Sequence, residues 1–263
     1  IVMNGRLSAN SFAGYRKIRF FMRRVLSYVS HFYMQDEEYA KRMIELGVDT
    51  DRVSVAGNFK FDVAAPSEKP LWADGMGGPV IVAGSTHNGE EEMIVSAFLK
   101  LREDFKNLTL IIAPRHPERF GEVEKMLIEK RVGYQRKSLI NDKKSPVILL
   151  DSVGELFSVY GVADIAIMGG SFIRHGGQNP LEPACWGKPV VCGPHMENFP
   201  FIKEFYRAGA AVETEAETLY KTLHRLLSSP EEMRDIGNRA GELLGKNRGA
   251  VEKAVKALGP YLS

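Results

Sequence analysis

The segment "MGGSFIRHGGQNPLEP", residues 168–183, gathers glycines, an amide and a carboxylate between an apolar run and a predicted helix. Its glycines allow the backbone to approach a ligand closely. Asn179 as helix cap and Pro180 at the first helical position predict a helix that begins beside the glycines. Glu182 follows in the first turn, where a carboxylate is placed to accept both hydroxyls of a ribose. The segment predicts a nucleotide cradle, although a tight structural turn would also use glycines.

Two further loops carry groups that suit an anion. In "AGSTHNGEE", Ser85 and Thr86 lead into a predicted helix, whose free N–H groups and positive dipole end favour a phosphate. The alternative is a plain strand-to-helix turn with a polar cap. Arg115 directly follows a predicted strand and stands between two prolines, a stiff setting for a bidentate contact with phosphate or carboxylate. A surface salt bridge is the alternative for that arginine.

Four of the six histidines fall in these loops or in the neighbouring one, and each comes singly. They are His87, His116, His175 and His195. Their spacing does not match a zinc site, so we expect capping, phosphate contacts or core packing and no metal. The two cysteines match neither a disulfide framework nor a metal-ligand spacing, which favours a reducing compartment.

These loops must be positioned by the strands that precede them. Apolar runs alternate with amphipathic helices along the chain, for example "PVIVAG" before Ser85 and "LTLIIAP" before Arg115. Such alternation predicts an α/β fold with parallel sheets, in which ligands bind at the carboxyl edge of the strands. The 263 residues, 44% hydrophobic and 26% charged, are typical of a globular protein of one or two domains.

A stretch rich in proline and glycine divides the pattern into two parts. We predict an incomplete Rossmann-like domain over 1–66, a linker over 67–78, a second Rossmann-like domain over 79–245 and a C-terminal helix over 246–263. Residues 14–29 are predicted as one helix of the first domain. The chain opens on a strand without an initiator methionine, and a parallel strand needs neighbours. We therefore expect an upstream segment to complete the first domain.

The first 35 residues, here called the basic segment, contain no acidic residue. Six basic residues alternate there with aromatic ones: Arg6, Arg16, Lys17, Arg19, Arg23 and Arg24. This composition suits anionic headgroups at a membrane surface, and it also suits a helix with one buried face and arginines in water. The chain has no run of about 18 apolar residues, so no membrane span is predicted.

Several motifs, taken together and in order, resemble those of 3-deoxy-D-manno-octulosonic acid (Kdo) transferases. They are "NGRLSANSFAGYRK", "VAGNFKFD", "GSTHNGEEE", "APRHPERF" and "GGSFIRHGGQNPLEPACWGKPVVCGPHMENF", and they span nearly the whole chain. The resemblance implies a GT-B glycosyltransferase with two Rossmann-like domains. It also implies inverting transfer of Kdo from CMP-Kdo to the lipid A precursor at the cytoplasmic face of the inner membrane, with no metal, cofactor or nucleic-acid partner.

The resemblance also assigns roles to single residues. The second domain would hold the donor, and the first would meet the acceptor. Arg115 would neutralise the phosphate of CMP-Kdo, Lys60 matches a functional lysine of the family, and Arg6 matches its "RLS" element on the donor or acceptor side. The residues that would line the CMP moiety and its phosphate are Ser85, Thr86, Gly170, Ser171, Asn179 and Glu182.

The family's general base is a glutamate near the start of the enzyme, and nothing in this chain matches it. We therefore expect this chain to bind CMP or CMP-Kdo weakly and to turn over slowly or not at all. Two alternatives stay open. One is a GT-B transferase or epimerase that uses a UDP-sugar, and the other is a non-catalytic module that binds a nucleotide or an anionic lipid surface.

Overall fold

The computed structural model describes residues 1–73, 75–140 and 145–262, with side chains up to residue 259. The chain divides into two compact units. Unit 1 comprises Ile1–Val63 and the chain from Leu244 onward, and unit 2 comprises Ala64–Leu243. Within the predicted linker, Leu71–Ala73 forms a 3₁₀ turn and Asp74 lies outside the described residues.

Unit 1 opens with a small parallel sheet of order β1-β2-β3. Its core packs apolar side chains of the central strand and α3, among them Phe32, Met34, Met43 and Leu46. The elements are β1 (Val2–Gly5), α1 (Ala9–Lys17), α2 (Arg19–Leu26), β2 (Phe32–Met34), α3 (Glu37–Glu45) and β3 (Val53–Val55).

The prediction of one helix over residues 14–29 is wrong, because α1 ends at Lys17 and α2 begins at Arg19. Ile18 lies between them with φ −113° and ψ 31°, outside the helical region. Side chains branched at Cβ lose rotamer freedom in a helix, which makes such a break less costly at Ile18. The neighbouring helix α3 begins after Asp36, whose carboxylate accepts from the Tyr39 N–H at 2.8 Å.

Unit 2 is built on a seven-stranded parallel sheet of order β10-β9-β8-β4-β5-β7-β6. Its elements are β4 (Val80–Thr86), α4 (Glu90–Asp104), β5 (Thr109–Pro114), α5 (Phe120–Glu129), β6 (Tyr134–Arg136), β7 (Val147–Leu149), α6 (Leu156–Val159), β8 (Ile165–Met168), α7 (Leu181–Cys185), β9 (Val190–Cys192), α8 (Ile202–Arg207), β10 (Val212–Glu213), α9 (Leu219–Leu227) and most of α10 (Pro230–Lys246), whose residues from Leu244 onward are assigned to unit 1.

The strand order of unit 2 reverses between β4 and β8. The strand that follows β4 in the chain, β5, lies on one side of it, whereas β8 lies on the other. The residues of β8 are fully buried and those of β4 almost so, as expected for central strands covered by helices on both faces. In an open parallel sheet, the crevice outside such a reversal is where ligands bind.

The unit 2 sheet also has two edge strands that the sequence does not reveal. β6 and β10 contain three and two residues, and each lies at an outer edge of the sheet. Strands this short and partly polar leave no run of apolar residues to detect. Both cysteines are free thiols. Over the part of the chain that the structure describes, the helices are too short or too polar to cross a bilayer.

The end of the chain packs into unit 1. Helix α11 (Ala250–Leu262) begins beside Asp62, whose Oδ1 accepts from the Gly249 N–H at 2.5 Å and whose Oδ2 accepts from the Val251 N–H at 2.6 Å. A carboxylate at a helix N-terminus satisfies free N–H groups and matches the positive end of the helix dipole. Asp62 therefore fastens the last helix to unit 1.

Replacement of Asp62 by alanine should loosen α11. Loss of such a cap costs about 1 kcal/mol, so the amides of α11 should exchange with deuterium roughly fivefold faster. Hydrogen exchange followed by mass spectrometry measures this. Asp49→Ala is the matched control, because the Asp49 carboxylate is exposed and lies 3.8 Å from Arg52 Nη1. Equal exchange of α11 in the two variants would contradict the capping role.

Candidate functional site

The loops after β4 and β8 touch through their backbones at the strand reversal. The Gly169 N–H donates to the Gly84 carbonyl at 2.8 Å. A Cβ atom at position 169 would lie 2.1 Å from the Ser85 carbonyl oxygen, so any side chain there would force the loops apart. Glycine at 169 is therefore required by the approach of the two loops.

Ser85 and Thr86 are adjacent in sequence but differ in exposure. Ser85 has φ +54°, a left-handed conformation that is uncommon for a residue other than glycine, and it lines a small pocket with Arg115. Thr86 is fully buried, and its hydroxyl has no hydrogen-bond partner among the described residues. Of these two predicted phosphate contacts, Ser85 therefore lines the same pocket as Arg115. The Thr86 side chain is instead buried inside unit 2.

Arg115 and Glu182 come from different loops and influence each other. The Arg115 N–H donates to the Thr86 carbonyl at 3.0 Å, and its side chain is exposed. Burial raises the pKa of the Glu182 carboxyl above its usual range, while Asn179 and the charge of Arg115 oppose that rise. The two predicted ligand groups therefore lie within electrostatic range of one another.

Asn179 supports the start of α7, which begins at Leu181, one residue later than predicted. Its Oδ1 accepts from the Leu181 N–H at 3.2 Å, and its Nδ2 donates to Glu182 Oε1 at 3.3 Å. The first bond satisfies a free N–H at the start of α7, but the N-cap of this helix is Pro180, so the prediction of Asn179 as the helix cap is wrong by one residue. The second orients the Glu182 carboxylate.

Gly170 and Ser171 shape the loop after β8. Gly170 has φ +67°, and its carbonyl accepts from the Gly177 N–H at 2.8 Å. Ser171 is fully buried, its hydroxyl donates to the Met168 carbonyl at 2.5 Å, and the same oxygen accepts from the Gly193 N–H at 2.7 Å. The Ser171 hydroxyl thus joins the loops after β8 and β9, and the predicted contact of Ser171 with CMP stays a prediction.

Glu90 is a central residue of this site that the sequence analysis missed. Its side chain is 1% exposed and accepts from three backbone N–H groups, those of His87 at 2.9 Å, Gly170 at 2.7 Å and Phe172 at 3.0 Å. Burial raises the pKa of Glu90, and the three bonds oppose that rise. Glu90 follows His87 by three residues, which is the spacing of a capping box, so the sequence could have revealed the bond to the His87 N–H. It could not have revealed the bonds to Gly170 and Phe172, which come from a distant loop.

A buried ion pair lies beside this carboxylate and was also missed. Arg119 Nη1 donates to Glu91 Oε1 at 2.5 Å, and Arg119 Nη2 donates to Glu91 Oε2 at 3.3 Å. Burial lowers the pKa of Arg119, but its bonds with Glu91 outweigh this and raise it overall. Because its charge is matched by Glu91, Arg119 serves to hold the start of α4 against the segment after β5.

Three of the predicted histidines gather at this edge. The His87 ring lies 4.0 Å from the His175 ring and 5.8 Å from the His116 ring, measured between centroids. Burial and the nearby imidazole and guanidinium groups lower the pKa of His87 to about 4. His195 lies apart, with Nδ1 3.3 Å from Glu197 Oε1. In the described residues, no group of three side chains from His, Cys, Asp and Glu is arranged to hold a metal.

Arg6 and Lys60 both belong to unit 1 and lie within electrostatic range of each other. Burial lowers the pKa of Lys60, and the charge of Arg6 lowers it further. Asn4 Oδ1 accepts from the Phe59 N–H at 3.2 Å, and Asn58 Oδ1 accepts from the Lys60 N–H at 3.0 Å. The first bond joins the end of β1 to the turn after β3, and the second lies within that turn.

The sequence is similar to known transferases. A family model described as 3-deoxy-D-manno-octulosonic-acid transferase (kdotransferase) matches residues 1–63. The 3-deoxy-D-manno-octulosonic acid transferase of Haemophilus influenzae is 36% identical over 275 residues, which cover 100% of this chain and 64% of that protein. The protein of the same name from Bordetella pertussis is 32% identical, with 99% and 63% covered. The chain thus spans about three fifths of the length of these curated relatives.

Solved structures share the fold. The C-terminal CMP-Kdo binding domain of WaaA from Acinetobacter baumannii matches with a TM-score of 0.60 and 31% identity, covering 64% of this chain and 89% of that domain. A putative UDP-N-acetylglucosamine 2-epimerase from Listeria monocytogenes matches with a TM-score of 0.57 and 14% identity, covering 86% of this chain and 60% of that one. The second likeness shows the fold alone. The predicted α/β fold of the GT-B type is confirmed.

The low pKa of His87 gives unit 2 a pH-dependent stability. The unfolded histidine binds a proton below about pH 6.5, whereas the folded one stays neutral down to about pH 4. The free energy of unfolding should therefore fall as the pH decreases between these values. In His87→Gln that fall should be smaller.

Urea titrations followed by tryptophan fluorescence test this, since both tryptophans belong to unit 2. Leu139→Ala, which changes an exposed side chain of the same unit without a titratable group, should keep the wild-type pH dependence. An equally steep fall in His87→Gln would contradict the assignment.

Proposed function

This chain belongs to the family of Kdo transferases, and on that premise we propose that unit 2 binds CMP-Kdo as the donor of a glycosyltransferase. The complete enzyme would move Kdo to the lipid A precursor in lipopolysaccharide synthesis. The chain covers 64% of the Haemophilus relative, so activity is proposed for the whole protein and donor binding for this chain.

The observation that carries this proposal is the convergence of Ser85, Arg115 and Glu182 at the strand reversal. An exposed guanidinium suits the phosphate of a nucleotide, and a carboxylate suits the ribose hydroxyls. Gly170 has φ +67°, a conformation that glycine adopts readily, and it allows the loop after β8 to turn at this point. The buried Thr86 and Ser171 would contribute by shaping the loops, and Asn179 by orienting Glu182.

The proposed reaction is inverting transfer. A carboxylate takes the proton of an acceptor hydroxyl, the acceptor oxygen attacks the anomeric carbon, and CMP leaves from the opposite face. Arg115 would stabilise the negative charge on the departing phosphate. Lys60 and Arg6 form a cationic pair in unit 1, suited to a carboxylate or phosphate of donor or acceptor. The scheme needs no metal ion.

Titration calorimetry with CMP tests donor binding directly. A charge-assisted hydrogen bond contributes about 1.5–3 kcal/mol, so Arg115→Ala and Glu182→Ala should each weaken CMP at least about tenfold. Arg234→Ala, at an exposed position of α10, is the matched control and should bind CMP like the wild type.

The same titration with UMP and UDP separates the alternatives. Binding of UMP or UDP as tight as that of CMP would contradict the CMP-Kdo assignment and favour a UDP-sugar enzyme. Absence of any nucleotide response would contradict donor binding by this chain. Lipid binding that persists in Glu182→Ala would then favour a non-catalytic module.

We also propose that the basic segment docks on an anionic membrane surface, at the cytoplasmic face of the inner membrane. Neither α1 nor α2 contains a buried residue. The exposed fractions are 95% for Phe20, 62% for Phe21 and 76% for Tyr28. Aromatic side chains beside arginines, with no acidic residue before Asp36, complement anionic headgroups. The acceptor of the proposed reaction is a lipid, which fits this placement.

Replacement of Phe20 and Phe21 by serine should weaken binding to vesicles that contain phosphatidylglycerol. Burial of one phenylalanine contributes about 1.5–3 kcal/mol, so a loss of at least about tenfold is expected even for partial insertion. Vesicle co-sedimentation at two salt concentrations measures it. Leu139→Ser, which changes an exposed apolar residue of unit 2, should bind like the wild type. Equal binding to neutral phosphatidylcholine vesicles would contradict an anionic surface as the partner.

A further inference from the structure

Glu90 connects both sides of the strand reversal from inside unit 2. Its Oε2 accepts from the His87 N–H in the loop after β4 and from the Gly170 N–H in the loop after β8. Its Oε1 accepts from the Phe172 N–H, two residues further along the second loop. One side chain thus supplies acceptors both to the loop just before it and to a loop whose Gly170 lies 80 residues further along the chain.

The three converging donors require a carboxylate rather than an amide. A glutamine has one acceptor oxygen, and its NH₂ group would face at least one backbone N–H. Yet the buried charge is costly: desolvation raises the pKa of Glu90, and the charge of Glu91 adds to that effect. The effect of the buried Glu90 carboxylate on its surroundings is therefore the backbone conformation that its three hydrogen bonds hold in place.

The effect of Glu90 on the backbone extends along the loop after β8 toward the predicted ligand residues. The bond from Glu90 holds the N–H of Gly170 inward while this residue keeps φ +67°. The Gly170 carbonyl then accepts from the Gly177 N–H, which closes the glycine-rich loop just before Asn179 and Glu182. On the other side, the bond to His87 fixes the turn that follows Ser85.

We infer that Glu90 is a positioning residue for the donor site, which aligns the loop of Ser85 with the loop of Glu182 without contacting the nucleotide. The inference rests on the proposed function, because it assumes that both loops bind one ligand. The inference identifies Glu90 as the residue that holds the loop after β4 and the loop after β8 in their relative positions.

The test compares Glu90→Gln with Glu92→Gln in the 263-residue chain. Both changes remove one negative charge from the first turn of α4, but Glu92 is exposed and its Oε1 lies 2.7 Å from Lys130 Nζ. Calorimetry with CMP should give a Kd at least about tenfold higher for Glu90→Gln and unchanged for Glu92→Gln. The Tm of Glu90→Gln should shift by less than about 4 °C.

Hydrogen exchange supplies a readout that needs no ligand. The amides of Gly170 and Phe172 should exchange at least about tenfold faster in Glu90→Gln, while those of the neighbouring strand β8 stay protected. If Glu90→Gln fails to fold, Glu90→Asp keeps the charge, draws it back by one methylene and should change both readouts in the same direction.

Each outcome has one meaning. Wild-type protein that binds no CMP contradicts the proposed function, and the exchange rates then still decide the role of Glu90. Unchanged exchange at Gly170 and Phe172 overturns the inference whatever CMP does. A loss of CMP affinity that follows a general fall in Tm, with exchange faster throughout β8, also overturns it, because Glu90 would then be a general stabilising residue.

Discussion

The close approach of the loops after β4 and β8 is the constraint on which the ligand edge of unit 2 depends. The Gly169 N–H reaches the Gly84 carbonyl at 2.8 Å, which extends the pairing of the two strands by one bond. The backbone at Ser85 leaves no space for a side chain at position 169. Candidate ligand groups of both loops are thereby held near one point, at the crevice where donor binding is proposed.

Buried charges hold this arrangement in place. Glu90 satisfies three backbone N–H groups, and Glu91 forms a bidentate pair with Arg119. Neither carboxylate is free to repel a phosphate at the surface, because each is engaged inside unit 2. Arg115 is exposed beside these groups, whereas burial, together with the nearby imidazole and guanidinium groups, lowers the pKa of His87 to about 4. The exposed Arg115 guanidinium is suited to an anion, even though the whole chain carries a net charge of only +2.

Much of this organisation could be predicted from residue patterns. Alternating apolar runs predict the parallel sheets, and the glycine-rich stretch after β8 predicts the position of the site. Residue patterns did not predict the features that depend on contacts between residues far apart in the sequence. Nothing in the sequence shows that the Ser171 hydroxyl turns inward to Gly193, or that Glu90 reaches a loop 80 residues away. The break at Ile18 was missed because the apolar residues on either side of it continue in helical spacing.

The return of the chain to unit 1 has a consequence for how such proteins diversify. Unit 2 occupies Ala64–Leu243, whereas the helix that Asp62 fastens belongs to unit 1. In sequence, unit 2 is therefore an insertion with two junctions. A recombination event that replaced unit 2 as a whole would leave helix α11 still capped by Asp62 of unit 1. New donor specificities could then arise by module replacement, with the packing of unit 1 left intact.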